Sequence, residues 1–306
     1  MIYWGIGALG AALVAGMANR KQSLSLSGMA AAILMGTVYF GAAQGTWFWF
    51  GLLLLFFISS SILSKVKAER KHELEKSYAK TGSRDAGQVF ANGGAGMAAC
   101  LGYALWPDPF WAYFVLGTLA AVTADTWATE LGGLSRRQPR SLLTWRPVPA
   151  GTSGGVSLLG SGAALLGALM IGGAGWLLLA WPEWESWAAW LGLGETVSGW
   201  VGSLGQFAGG SREGSIALPM GLSLGKWLLI GGTSGFAGAY VDSLLGATVQ
   251  RMYRCQVCDK LVEVEVHCGK PTLPDRGLVW MNNDAVNILS ALTAGLIAAG
   301  LGLSLG

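Results

Sequence analysis

Five runs of this sequence carry polar side chains into otherwise apolar stretches, and the types they bring suit phosphate chemistry. The run GSRDAGQVFANGG (82–94) holds Arg84, Asp85, Gln88 and Asn92. The last three follow spacings of three and four, so they share a helical face. A helix cap followed by polar packing is the plainer reading of this run, although three polar groups exceed what a cap needs. The run TADTWATELGG (123–133) places Asp125 and Thr129 four apart on one face, with hydroxyls from Thr123 and Thr126. Glu130 lies about 140° round an ideal helix from Asp125, so it serves a neighbouring helix or the membrane interface. A structural aspartate paired with an arginine is the alternative for Asp125.

RPVPAGTSGGVSLLG (146–160) stops regular structure with two prolines, then offers Thr152, Ser153, Gly154 and Gly155 at the opening of the next helix. Backbone N–H groups and hydroxyls at a helix start make an anion site; a glycine-rich hinge is the other reading. GGTSGFAGAYVDSLLGATVQ (231–250) echoes the earlier runs. GTSGF resembles GTSGG at 151–155, Asp242–Ser243 resembles Asp125–Thr126, and a Gly-x3-Gln spacing links 202/206 with 246/250. These are hints of an internal duplication, with Asp242 as a second carboxylate for one centre. WMNNDAVNILS (280–290) opens the last helix with Asn283, Asp284 and Asn287, of which Asn283 or Asn282 could cap it.

Carboxylates inside apolar segments are costly and mark function by default. Magnesium takes hard oxygen ligands and commonly keeps several waters beside one or two carboxylates and a phosphate. Arginine grips phosphate with two parallel hydrogen bonds. Phosphoryl transfer needs little beyond positioning, magnesium and positive donors. The inventory therefore fits a cytosolic phosphate donor meeting a membrane-dissolved phosphorylated acceptor. Asp125 and Asp242 would hold Mg2+, and Arg84 with 151–155 would hold phosphates. Asp85, Asn92 and Asn283 would complete the shell. The alternative is a membrane transporter of a small or lipid-linked anionic solute, which uses broken helices and midplane polar groups. A non-catalytic membrane scaffold is a third reading. GLSLGKW (221–227) lacks the spacing of a Walker loop, and Lys226 there suits snorkelling to the interface.

A separate cluster reads CQVCDKLVEVEVHCG (255–269). A C-x2-C knuckle next to a histidine suggests metal in a reducing compartment more than a disulfide. Cys255, Cys258, Cys268 and His267 could hold structural Zn2+. Strand alternation, with Val262, Val264 and Val266 facing one way, would point His267 and Cys268 to opposite faces and strain a four-ligand site. A small hairpin with unligated thiols is the alternative.

The elements that must position these groups are membrane helices. The chain is 52% hydrophobic and only 12% charged, too little charge to cover a soluble domain of this size. Apolar segments fall near 2–18, 24–41, 45–63, 89–106, 110–131, 153–180, 187–207 and 284–305. The stretch 216–249 is too long for one ordinary crossing, and Gly231, Gly232 and Gly235 interrupt it, so two short helices or a re-entrant hairpin around GGTSG are expected. The fold class is all-α: one polytopic membrane domain over 1–306 with about nine or ten transmembrane or re-entrant helices. A basic loop at 64–88 and an insert at 250–282 with the cysteine hairpin are expected in the cytoplasm. The MIYWGIGALG start has no basic region before its apolar run and reads as a first membrane helix rather than a removed signal peptide.

Arg20 and Lys21, the seven basic residues between Lys65 and Arg84, and Arg136, Arg137, Arg140 and Arg146 occupy alternate connections. The connections between them, near 42–46, 107–110 and 181–186, hold no lysine or arginine. The positive-inside rule then puts the N-terminus outside and the basic face in the cytosol of the cell inner membrane. The insert 250–282 joins that face only if 216–249 goes in and returns. SKVKAERKHELEKSYAK (64–80) is charged all round and suits a solvated helix leaving the membrane. A net charge of +3 is too small to argue for nucleic acid. Partners are therefore bilayer lipids and a lipid phosphate; the oligomeric state stays open, a dimer included.

GSRDAGQVFANGG, ADTWATELGG, PVPAGTSGGVSLLG, VDSLLGATVQ and the C-x2-C loop followed by WMNNDAVN resemble the DUF92 / transmembrane protein 19 family, in the expected order and over roughly 5–305. The resemblance implies an isoprenyl- or phytyl-phosphate kinase activity, since the family includes the phytyl-phosphate kinase of plants and cyanobacteria. It also implies a distant relation to CTP-dependent polyprenol kinases and phosphatidate cytidylyltransferases. The positions it carries over as the site are Arg84, Asp85, Asn92, Asp125, Glu130, Asp242, Asn283 and Asp284. Family members from organisms that make no tocopherol leave the lipid itself open.

Overall fold

The protein was analysed as a computed structural model, which describes residues 2–66, 82–180 and 222–306. Those residues form eight helices: α1 (Ile2–Arg20), α2 (Leu26–Gly41), α3 (Trp47–Lys65), α4 (Ala86–Leu105), α5 (Pro109–Gly132), α6 (Leu158–Ala180), α7 (Leu224–Thr248) and α8 (Asn283–Leu305). The crossing expected at 187–207 and most of the charged helix expected at 64–80 lie outside the described residues. Five helices, α1, α3, α6, α7 and α8, are long and apolar enough to cross a membrane, by length and composition. Their outer faces present side chains such as Leu9, Leu13, Ile62, Leu166, Leu296 and Leu303 to the surroundings, as suits contact with lipid.

α5 is the axis of the fold. Every residue from Ala112 to Ala124 is buried, and α3, α4, α6, α7 and α8 pack around it. A helix covered on all sides needs no amphipathic stripe, which is why its apolar residues show no preferred face. Pro109 stands in its first turn and the Asp108 side chain caps it through the Phe110 N–H at 2.8 Å.

Across GGTSG, where the stretch 216–249 was expected to break, Leu224–Thr248 is one unbroken helix. Gly231, Gly232 and Gly235 in α7 are contact points, not hinges. A Cβ at Gly231 would lie 2.7 Å from the Cα of Gly172 in α6. At Gly235 it would meet the Cβ atoms of Ala120 (α5) and Ala168 (α6) at 2.7 Å. Gly238 stands equally close to Ala121 and to Ala294 of α8, and Gly117 of α5 faces Ala294 and Ala298. Small residues let helix backbones touch where lipid supplies no hydrophobic drive to associate. Thr233 and Ser234 donate their hydroxyls back to Leu229 O and Ile230 O at 2.6 Å, so the polar letters of this run are satisfied inside the helix.

One crossing by α7 is enough to bring 250–282 to the basic end. Gln22, Lys65, Arg84, Arg137, Gln250 and Asn282 all border one cavity there. At the other end Lys226 donates to the Leu305 carbonyl, tying the start of α7 to the end of α8. Edge-on aromatic pairs, Phe48 with Trp227 and Phe40 with Trp47, fill that far end.

The connections at the cavity end carry short strands. β1 (Arg140–Ser141) and β2 (Gly155–Val156) pair antiparallel. In the cysteine insert, β3 (Met252–Arg254) lies between β4 (Leu261–Val262) and β7 (Leu273–Arg276), while β5 (Val266–His267) and β6 (Lys270–Pro271) form a separate hairpin. The insert is thus more than the single hairpin expected. The alternating run from Val262 to Val266 is not one strand, because the ladder stops at Val262 and restarts at Val266.

Candidate functional site

The two carboxylates singled out inside the apolar helices meet. Asp125 of α5 and Asp242 of α7 border the same open cavity of about 600 Å3 at the basic end of the bundle. The close packing of Gly238 and Gly235 on α5, one and two turns before Asp242, holds the two helices that carry these side chains against each other. Ser290 of α8 donates to Asp242 Oδ2 at 3.3 Å. Among the described residues neither aspartate pairs with a lysine or arginine, so the structural ion pair held open for Asp125 is not formed. Thr123 and Thr126 donate to Leu119 O and Val122 O of their own helix; Thr126 borders the cavity and Thr123 is fully buried away from it.

Arg84 reaches the cavity from the connection before α4. Its backbone is pinned to the α1–α2 turn: Arg84 N donates to Ser23 O at 3.1 Å, and its carbonyl accepts Ser25 N–H at 3.0 Å. Gly28 is required beside it, since a Cβ there would collide with the Arg84 carbonyl. The guanidinium lies about 6 Å over the rings of Phe56 and Phe57. Burial pulls its pKa down from the ordinary value and the Glu130 carboxylate opposes that. Arginine stays charged under such shifts. Gln88 and Asn92 border the cavity beside it. These three residues also line a second, apolar crevice of about 60 Å3 between α1, α2, α3 and α4, with Ala11, Met35 and Phe50 on its walls. The polar cavity and the apolar crevice therefore meet at Arg84, Gln88 and Asn92.

Asp85 has a different place. Its Oδ1 accepts the Gln88 N–H at 2.8 Å and Gln88 Oε1 accepts the Asp85 N–H at 3.2 Å, a complete capping box for α4. It is not among the residues bordering the cavity. Its Oδ1 thus serves the start of α4.

Glu130 does border the cavity and accepts the Ser64 hydroxyl from α3, the neighbouring-helix role its angle suggested. Thr152, Ser153, Gly154 and Gly155 also line it, but they do not open a helix. Gly155 belongs to β2, and α6 begins three residues on, where Ser157 Oγ accepts the Gly160 N–H at 3.0 Å. The Thr152 hydroxyl and the Thr152 and Gly155 N–H groups are used within the turn. The loop presses on α7 instead: Gly154 (φ +81°) leaves no room for a Cβ against Ala247. Asn282 is the cap of α8 through Ala285 N at 3.0 Å, and Asn283, Asp284 and Asn287 face the cavity with it.

Two wall residues escaped the sequence reading. Ser153 Oγ donates to Gln250 Oε1 at 2.7 Å, and Gln250 Nε2 donates to Glu263 Oε1 at 2.8 Å. Gln250 stood out only as the end of a Gly-x3-Gln echo, and Glu263 only as one of an alternating pair. In the same insert, ligand atoms of Cys255, Cys258, His267 and Cys268 all lie within 4.8 Å of one another. Backbone N–H groups of Cys258 and Val257 directed at the Cys255 thiol lower its pKa to about 6.

The chain matches the family described as integral membrane protein DUF92 over residues 9–295. It belongs to that family. Among its relatives is Protein PGR of Arabidopsis thaliana, 30% identical over 94% of this chain and 92% of that protein. An uncharacterized membrane protein, MJ0933, of Methanocaldococcus jannaschii is 32% identical over 53% of this chain and 66% of its own length. Protein VTE6, chloroplastic, also of Arabidopsis thaliana, is 30% identical over 51% of this chain and 47% of its own. No solved structure matches the chain.

Proposed function

We propose that the protein transfers the terminal phosphate of a nucleotide triphosphate, CTP or ATP, to an isoprenyl monophosphate of the phytyl type, giving the diphosphate. The observation that carries this reading is the pairing of Asp125 and Asp242 in one polar cavity that joins an apolar crevice at an arginine. A lipid phosphate has those two halves: an apolar tail and a dianionic head. Asp125 and Asp242 are the residues that would hold magnesium. Their hard oxygens, free of lysine and arginine, and a cavity roomy enough for water and phosphate fit that ion, which when bound neutralises phosphate charge. Arg84 offers planar donors to a phosphate, and Asn92, Asn283 and Asn287 offer amides. Glu130 steadies the cavity edge through Ser64. The lipid phosphate oxygen bonds to the terminal phosphorus, the bond to the bridging oxygen breaks, and the nucleotide diphosphate leaves. The attacking oxygen is already anionic near neutral pH, so no base need remove a proton.

The depth of the cavity favours chemistry at the surface over passage of a solute. Its polar residues gather at one end, while the far half of α5 is buried on all sides and closed by aromatic packing. Basic connections border the cavity, so we place this face in the cytosol, where the nucleotide is. Purified protein incubated with magnesium, CTP or ATP and a panel of prenyl monophosphates should yield the diphosphate. Absence of any diphosphate with the fold intact, together with uptake of an anionic solute into liposomes, would replace this reading with a transporter.

A further inference from the structure

We propose that Cys255, Cys258, His267 and Cys268 bind one structural zinc ion, and that the ion holds the 250–282 insert in the shape that sets Glu263 on the cavity wall. The proposal stands apart from the phosphate chemistry and survives its failure.

Two turns deliver the four ligands. The first is the knuckle after β3. Val257 N–H donates to Cys255 Sγ at 3.4 Å, Asp259 N–H donates to Cys255 O at 3.1 Å, and Asp259 takes φ +57° to turn the chain back. The second is the β5–β6 hairpin, in which His267 pairs with Lys270 across the two-residue turn Cys268–Gly269. Both turn residues have positive φ, +51° and +72°. This resolves the conflict that strand alternation posed. Cys268 is not the next residue of a strand; it is the first residue of a tight turn, and its left-handed backbone swings the thiol to the His267 side. His267 Nδ1 then lies 3.2 Å from Cys268 Sγ and 3.5 Å from Cys258 Sγ. A tetrahedral zinc with thiolate bonds of about 2.3 Å sets its ligand atoms about 3.7 Å apart. The four ligand atoms already lie within 4.8 Å of one another, close to that spacing.

A left-handed cysteine is costly at a turn where asparagine or glycine is the usual choice, and a metal bond supplies a reason to keep it. Burial does not, because Cys258 and Cys268 are exposed. Nor can the insert hold itself: its strands run two to four residues, and Met252, Cys255, Val262 and Met281 are its few buried apolar side chains. Sheets this small need a staple. Three thiolates and one imidazole suit zinc, four protein ligands leave no open position, and the site is therefore structural. One negative charge remains on such a centre, and the exposed Lys260 and Lys270 follow Cys258 and Cys268 by two residues each.

The centre is linked to the cavity. Glu263 follows β4 directly, accepts from Gln250, and through it is joined to Ser153. Arg276, at the end of β7, donates to the Ala247 and Gly246 carbonyls and so docks the insert on the C-terminus of α7.

The full-length chain, purified in detergent from zinc-supplemented cells, should carry close to one zinc per chain by elemental analysis. Cobalt exchanged into the wild type should give the intense visible bands of tetrahedral thiolate ligation. Cys258→Ser, at an exposed position, should lose the metal. Chelation should speed amide exchange over 252–276 while α5 and α7 keep their protection. Folded wild type free of zinc and without cobalt bands would overturn the proposal, as would full zinc content in a Cys255→Ser/Cys258→Ser double variant.

Discussion

Asp85 and Asp125 stand at the same end of adjacent helices, and their neighbours treat them differently. Asp85 precedes α4, where the first backbone N–H groups have no carbonyl partner, and its carboxylate is taken by Gln88 N–H. Asp125 lies inside α5, where every N–H is already bonded to the carbonyl four residues back, so its charge must be answered from outside the helix. Asn282 caps α8 while also bordering the cavity, and Asn287, more than a turn further in, borders the cavity without capping. Side-chain type at the membrane face is thus a weak guide to role. Distance from the helix start decides whether the chain's own backbone consumes the group or leaves it for a ligand.

The contrast can be broken by substitution. Asp125→Asn and Asp242→Asn should each lower diphosphate formation by at least about a hundredfold, since a neutral amide removes the charge that magnesium and phosphate need. Melting temperature in detergent should hold or rise, because a half-buried carboxylate without a cationic partner costs more than an amide. Full turnover in either variant would remove that aspartate from the site. Gly235→Leu should come next, destabilising the bundle by about 3 kcal/mol or more, because even one Cβ there meets two others at 2.7 Å. Loss of folded yield would tie the meeting of the aspartates to backbone contact between α5 and α7; normal yield and activity would sever that tie. Asp85→Ala should cost about 1–2 kcal/mol in thermal stability and leave kcat within about twofold. A dead but fully stable Asp85→Ala protein would show that the capping box also serves chemistry. Asn282→Ala should cost about 1 kcal/mol, the loss of one cap bond, with turnover again retained.

Much of this site was legible because charge in an apolar run has so few innocent explanations. Asp125, Asp242, Glu130 and Arg84 stood out on that ground, and all four border the cavity. What failed was local reading of glycine. GTSGG at 151–155 and GTSGF at 232–236 differ at one position, yet one is a loop with positive-φ glycines and the other lies mid-helix. Pro147 and Pro149 stop the first from becoming helical, and the second has no such neighbour. Its glycines answer to Gly172, Ala120 and Ala168 on other helices, which no window of sequence can reveal. His267 and Cys268 were misread for a related reason: period-two alternation holds only while the strand lasts. Gln250 and Glu263 were missed because their bonds to each other and to Ser153 join distant parts of the chain.

The glycine contacts among α5, α6, α7 and α8 have a mechanical consequence. Helices that touch backbone to backbone have no side-chain layer to shear, so these four move as a single block. Asp125 and Asp242 are carried by that block, and so is Ser290, which donates to Asp242. Arg84 stands outside that block, hung from the α1–α2 turn.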